Sequence, residues 1–394
     1  MAIRFYLKNI SYACVLAIVL IIGGCGKESA PIPEPVAPVT PPPVNLPYNH
    51  IFKSGEGGYY CFRIPALVKT KAGTLLAFAE ARRVNCGDEG DIDLVVKRSS
   101  DKGKTWSAFS VIWSDGENTC GNPAPVVDES TGKIHLLMTW NLGSDDIGMI
   151  GNGTSKDTRR VYKTSSTDDG KTWAAAQEIT SSVKLQGWGW YATGPCHGIQ
   201  LSKGPNAGRL VIPCDYIQVG GAKKGFSHVI YSDDKGETWK LGGVTPIINL
   251  NPNESTVAEL ADGRLMLNMR VSNNDNLRMR SISSDGGLTW SVPETTPALL
   301  DPVCQGSLLS AMVGSQHTLF FSNAASVNRT NMTVKMSTDQ GDTWSKSVAI
   351  HTGPSAYSDL VMVADNELGL LYEAGTNRFS DGIAWKNINM SEFK

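Results

Sequence analysis

The sequence has no excess of charge of either sign, no clustered histidine and little that could span a membrane. Its 36 basic and 38 acidic side chains leave a formal net charge of −2, so it offers neither the basic face a phosphate backbone requires nor a polybasic membrane patch. Nucleic acid is therefore not expected as a partner. The six histidines are scattered without a zinc-type spacing, so no metal is called for. "GKT" at Gly103 and Gly170 lacks the glycine five positions earlier that a phosphate loop needs, those positions being Arg98 and Ser165, and no cofactor is expected. The apolar run "ISYACVLAIVLIIGG" covers about 15 residues, short of the roughly 20 that a spanning helix requires.

Because Arg4 and Lys8 precede it, that run reads as a signal peptide over residues 1–24. It ends in "IGGC", which resembles the lipobox of bacterial lipoproteins. The resemblance implies that Cys25 is acylated and becomes the mature N-terminus, so that the protein is exported and held at a membrane by its lipid anchor, in the periplasm or on the cell surface. Residues 25–47 then form a linker, in which the proline-dense "ESAPIPEPVAPVTPPPVNLP" favours an extended polyproline II spacer. Six cysteines follow: Cys61, Cys86, Cys120, Cys196, Cys214 and Cys304. Export permits disulfides, but a domain of this size needs none, and mostly free, packed thiols are predicted.

The pattern Ser-x-Asp-x-Gly-x-Thr-Trp occurs five times, at Ser99–Trp106, Ser166–Trp173, Ser232–Trp239, Ser283–Trp290 and Ser337–Trp344. Short β-type runs such as "DLVVKRS", "RRVYKTS", "SHVIYS" and "MTVKMS" precede the copies, and another apolar run follows each. The repeating unit is therefore built of hairpins. Asp and Gly suit a tight turn, and Trp buries a large apolar surface between strands. Units of this length point to an all-β fold, a β-propeller of four-stranded antiparallel blades over residues 48–394. The length divides better into six blades than into five. One aspartate copied around a ring belongs to scaffold, since an active site needs unlike residues converging.

Function is sought where the chain departs from its repeat. "CFRIPALV" carries Arg63, "LLAFAEARR" carries Glu80, Arg82 and Arg83, and "CGDEGDID" is a short acidic loop. Later, "NESTVAEL" precedes "LMLNMR", "SVNRT" precedes the last repeat, and "SAYSDLVMV" precedes "LGLLYEAG". Together with the five repeats, these segments resemble the exo-α-sialidases (neuraminidases) of bacteria and animals, from about residue 50 to the end.

The resemblance implies hydrolysis of terminal α-linked sialic acid from glycoproteins, glycolipids or oligosaccharides by a monomeric enzyme. By motif, it assigns Arg63, Arg270 and Arg329 to a clamp on the sugar's carboxylate, where guanidinium groups meet carboxylate with paired hydrogen bonds. It assigns Tyr357 as a nucleophile that avoids the repulsion a carboxylate would meet, and Glu254 as its base, with Glu259 the competitor. Asp88 is the implied general acid, with Asp91 and Asp93 as alternatives because acidic Gly-rich loops align loosely. Arg82 matches an additional substrate contact, and Glu373 a residue that orients Arg63. Trp188, Trp190 and Tyr191 suit the pocket or blade packing equally. A trans-sialidase or intramolecular trans-sialidase would share all of these residues, whereas a silent glycan-binding propeller would be expected to lose Tyr357, Glu254 or Asp88.

Overall fold

The computed structural model describes residues 48–394 apart from 221–223 and 273–274. The signal peptide, Cys25 and the linker lie outside the described residues.

Successive strands pair antiparallel in meanders that run outward from an inner strand. Cys61–Lys69 pairs with Leu75–Arg82, which pairs with Ile92–Ser99, edged by Ser110–Trp113. The order recurs from Thr119–Val127, from Trp188–Thr193, from Asn251–Glu259 and from Ser307–Val313. The 19-residue strand Lys346–Ala364 serves twice. Its first part edges Thr330–Ser337, and its second part pairs with Glu367–Ala374. Asn49–Lys53 joins that last sheet beside Gly382–Asn389, so the start of the described chain is tied to its end.

The inner strands stand side by side. Cys61–Lys69 contacts both Thr119–Val127 and Lys346–Ala364, which brings the first sheet against the last. A fully buried carboxylate, Asp359, ties this centre together. It accepts hydrogen bonds from Leu67 N at 2.8 Å, His197 N at 3.0 Å and Ser307 Oγ at 2.7 Å, and its Oδ1 lies 2.7 Å from His197 Nδ1. A buried carboxylate is tolerated only with its lone pairs satisfied, and here the donors come from separate sheets.

The five repeats make one recurring turn. In the third, Asp234 Oδ1 accepts from Ser232 Oγ at 2.7 Å and from Thr238 N at 2.9 Å, while Gly236 N donates to Ser232 Oγ at 2.8 Å. Gly236 has φ 82°, and a Cβ on it would stand 2.3 Å from the His135 ring of the neighbouring sheet, so both backbone and space require glycine. The repeat tryptophans pack between sheets: Trp173 meets Phe78 at 5.7 Å between ring centroids, and Trp106 meets Trp385 at 5.2 Å. The turns thus fix hairpins and pack one hairpin meander against the next, and Asp234 spends its carboxylate on its own turn.

Cys120, Cys196, Cys214 and Cys304 are free and buried, as predicted. Cys61 and Cys86 depart from that expectation: they are joined, with Cα atoms 5.9 Å apart, linking the first inner strand to the acidic loop. Sequence separation hides this pairing, because only the antiparallel register of Cys61 with Arg82 brings the loop back over the strand.

Candidate active site

The motif residues gather where the inner strands begin. Arg63 lies two residues into Cys61–Lys69, Glu254 three residues into Asn251–Glu259, and Tyr357 just past the midpoint of Lys346–Ala364, where that strand changes sheets. Arg270 lies near the end of Leu265–Ser272, which runs antiparallel to the Glu254 strand.

Tyr357 is the centre of the arrangement. Its hydroxyl donates to Glu254 Oε1 and accepts from Arg270 Nη1 at 3.1 Å, and the same Nη1 donates to Glu254 Oε2 at 2.5 Å. The guanidinium carbons of Arg63 and Arg329 lie 5.1 and 5.7 Å from the Tyr357 ring centroid, and both also face Phe379. Burial drives the Tyr357 phenol well above its usual range, and Glu254 adds to the rise, while Arg270 and Arg329 oppose it. At rest the group is therefore a phenol with an acceptor already in place for its proton.

Of the three arginines, Arg63 is the most firmly fixed. Glu373, fully buried, accepts from Arg63 Nε at 2.8 Å and Nη2 at 3.1 Å, and also from Ile64 N at 3.0 Å and Tyr357 N at 3.2 Å. Burial alone would disfavour the Arg63 cation, but the paired Glu373 carboxylate outweighs it and raises the guanidinium further above its usual value. Arg329 has far less: among the described residues its hydrogen bond is a long one, 3.4 Å to Val303 O. Among the described residues Arg270 Nε is buried without a partner. Among the described residues three cations converge with two carboxylates, Glu373 and Glu254, paired to them, which leaves room for an external anion.

Beside Tyr357 opens a cavity of about 370 Å³ whose lining includes Arg82, Asp88, Glu254, Arg270 and Tyr357. Arg82 is buried and donates to Glu80 Oε2 through Nε at 3.0 Å and Nη2 at 2.5 Å, while its Nη1 reaches Asp88 Oδ1 at 2.8 Å. The Asp88 side chain is 61 % exposed, open to a ligand. Burial tends to raise its carboxyl, but Arg82 and Arg63 together hold it below the usual range. The alternatives do not enter this cavity. Asp91 and Asp93 pair with Arg83 at 3.1 and 3.2 Å. Glu259 sits at the other end of its strand, accepting from Ser202 N and Lys203 N on a separate cavity of about 470 Å³.

The aromatic alternatives divide. Trp190 lines the cavity, with the Arg159 guanidinium 3.8 Å from its ring centroid. Trp188 stacks on Tyr216 at 3.5 Å, and Tyr191 is buried against His228, so both are packing residues. Sequence reasoning passed over Asn122, Arg159 and Asp215 in the cavity wall. The available signal was a charged residue inside an otherwise apolar strand, as in "LVIPCDYIQ", where nothing local needs the aspartate.

A family model described as a BNR repeat-like domain matches residues 73–372. A sialidase of Micromonospora viridifaciens is 34 % identical over 355 residues, covering 86 % of this chain and 53 % of that protein. An exo-alpha-sialidase of Arthroderma benhamiae is 31 % identical over 379 residues, covering 88 % of this chain and 87 % of its own length. Among solved structures, the Hadza microbial sialidase Hz136 superposes with a TM-score of 0.78 at 30 % identity, covering 87 % of this chain and 68 % of that one. The chain spans about half the length of the Micromonospora relative.

Proposed function

Because the chain belongs to the sialidase family, we propose that it hydrolyses terminal α-linked sialic acid from glycoconjugates, with retention, through a tyrosyl–enzyme intermediate. The single observation that carries this reading is the Tyr357 hydroxyl held between Glu254 and Arg270, with Arg63 and Arg329 close to its ring.

In this reading Arg63, Arg270 and Arg329 hold the substrate carboxylate, and Glu373 keeps Arg63 in place. Tyr357 Oη attacks the anomeric carbon as its proton passes to Glu254. The bond to the leaving oxygen breaks as Asp88 donates a proton to it, and Asp88 then accepts a proton from the water that opens the tyrosyl linkage. Arg82 aims Asp88 and borders the sugar. With its carboxyl held low in the free site, Asp88 is protonated in only a minor fraction near neutrality. Since kcat/KM reports the free enzyme, it should fall as pH rises above the Asp88 pKa, giving an acidic optimum.

The recurrence of four-strand meanders six times, counting the shared long strand in both of its sheets, supports a six-bladed propeller. The apolar run after Lys8 and the "IGGC" segment support export and acylation at Cys25, with residues 25–47 as the tether. If so, Cys25→Ala abolishes incorporation of an alkynyl fatty acid in cells, and persistent labelling of that variant would remove the anchor.

The activity is tested on α2,3- and α2,6-sialyllactose with products identified by mass. Free sialic acid is expected, whereas an anhydro sugar or a new sialoside would mark a transferase. Asp88→Asn should lose on the order of 10²-fold or more on sialyllactose, whose leaving alcohol needs a proton, and far less on an aryl sialoside. Equal losses on both substrates would remove Asp88 as the acid.

A further inference from the structure

The proposed general acid, Asp88, stands on a segment that has no packed side chains of its own. None of residues 84–89 is buried, and Val84 is 72 % exposed. The ends of the loop are pinned: Arg83 N donates to Asp91 O at 3.0 Å, and Thr119 Oγ1 to Gly90 O at 2.9 Å. Between those ends, its ties to the rest of the described residues come from Arg82 and Cys61. Arg82 Nη1 lies 2.6 Å from Cys86 O, 2.8 Å from Gly87 O and 2.8 Å from Asp88 Oδ1. That nitrogen carries two hydrogens, so three acceptors share two donors. Protonating Asp88, as the donating form requires, weakens this hold further, because a neutral carboxyl is a poorer acceptor than a carboxylate. The arginine thus grips the loop least firmly in the form that reacts.

The Cys61–Cys86 disulfide is the tie that protonation does not touch. Cys61 opens the strand Cys61–Lys69, two residues before Arg63, and is 1 % exposed, whereas Cys86 is partly exposed and two residues before Asp88. The bond therefore fastens the acid loop to the strand that carries part of the carboxylate clamp, and it restrains a segment that burial leaves free to open. A general acid must stay within hydrogen-bond reach of the leaving oxygen, and misplacement of about 1 Å suffices for a 10²-fold loss. Resting on the sialidase reading, we propose that Cys61 and Cys86 are positioning residues for Asp88, and that thiol–disulfide exchange with a dithiol uncouples this acid from the rest of the site. One thiolate of the dithiol attacks Cys86 Sγ, on the more exposed cysteine, and Cys61 leaves as a thiolate that takes up a proton. The second thiol then displaces Cys86, so two electrons pass to the protein and the reagent ends as a cyclic disulfide. Cys120, Cys196, Cys214 and Cys304 are free, so among the described residues this is the bond a dithiol meets.

The test follows α2,3-sialyllactose and a 4-methylumbelliferyl α-sialoside before and after dithiothreitol, with thiols counted by alkylation and mass. Reduction is expected to lower kcat/KM on sialyllactose about tenfold to a hundredfold, and on the aryl sialoside, whose leaving group needs little help from a proton, by less than about threefold. KM should change little on either substrate, because the arginine clamp is untouched. Cys61→Ser/Cys86→Ser should match the reduced protein and ignore the dithiol, and in Asp88→Asn reduction should add little to the loss already present. Equal losses on both substrates would reduce the disulfide to a structural role, and an unchanged kcat/KM on sialyllactose would show that Arg82 suffices alone; either result overturns the proposal. Failure of the oxidised wild type to cleave both sialosides would count against the hydrolase reading instead. The positioning role is then judged by amide hydrogen exchange, which should quicken about tenfold over residues 84–89 on reduction; unchanged exchange there overturns it.

Discussion

Tyr357→Phe is expected to lower kcat for an aryl sialoside by on the order of 10³-fold or more, about 4 kcal/mol of transition-state stabilisation, while leaving the protein folded. The size of the effect follows from what one oxygen does. It is the atom that would bond to the anomeric carbon, and it is the only bridge between the phenol ring and the Glu254–Arg270 pair. The small structural effect follows as well. Without the hydroxyl, Glu254 Oε2 keeps Arg270 Nη1 at 2.5 Å, so no buried charge is orphaned, and the ring still packs beside Arg63 and Arg329. Because the carboxylate clamp survives, KM or the affinity for free sialic acid should move far less than kcat. A variant within tenfold of wild-type kcat would remove Tyr357 as nucleophile. A parallel collapse of thermal stability would show that the substitution had not isolated the chemistry.

The contrast between legible and hidden features has a physical cause. The repeat turn could be read directly because it is local: Ser232, Asp234, Gly236 and Thr238 satisfy one another within seven residues. Counting those turns placed hairpins correctly and identified the aspartates as scaffold. The candidate catalytic set is not local in this sense. Tyr357 and Glu254 are 103 positions apart, and Arg63 and Glu373 are 310 apart. No propensity or period joins them, and they were found only through resemblance of short motifs to a family. Asp215 and Arg159 belong to no such motif. They meet in a cavity wall to which separate sheets contribute, and the one local signal was a charge such as Asp215 inside an apolar strand; the Cys61–Cys86 link escaped because strand register, not sequence spacing, brings the loop back.

Glu373→Ala is expected to cost both stability and activity, and the two losses have separable origins. Glu373 is completely buried and accepts four hydrogen bonds, two from Arg63 and one each from Ile64 N and Tyr357 N. Its removal leaves the Arg63 guanidinium, itself 7 % exposed, without a counter-charge, a situation that costs about 3–5 kcal/mol. It also releases Ile64, a β-branched residue at φ 58°, a backbone state that persists only when its surroundings impose it. Urea unfolding should therefore report a loss of that order. On the activity side, a mobile Arg63 and an unanchored Tyr357 backbone should lower kcat/KM by on the order of 10²-fold, since misplacement of about 1 Å in a positioning group suffices for that. The double variant Arg63→Ala/Glu373→Ala distinguishes the causes. If the buried unpaired cation dominates, deleting it should restore part of the stability lost in Glu373→Ala while leaving activity as low or lower. If instead the double variant is less stable than either single one, packing around the pair matters more than charge. Glu373→Ala with stability within about 1 kcal/mol of wild type and normal kcat/KM would mean that Arg63 holds its place without this partner, contrary to the bidentate geometry.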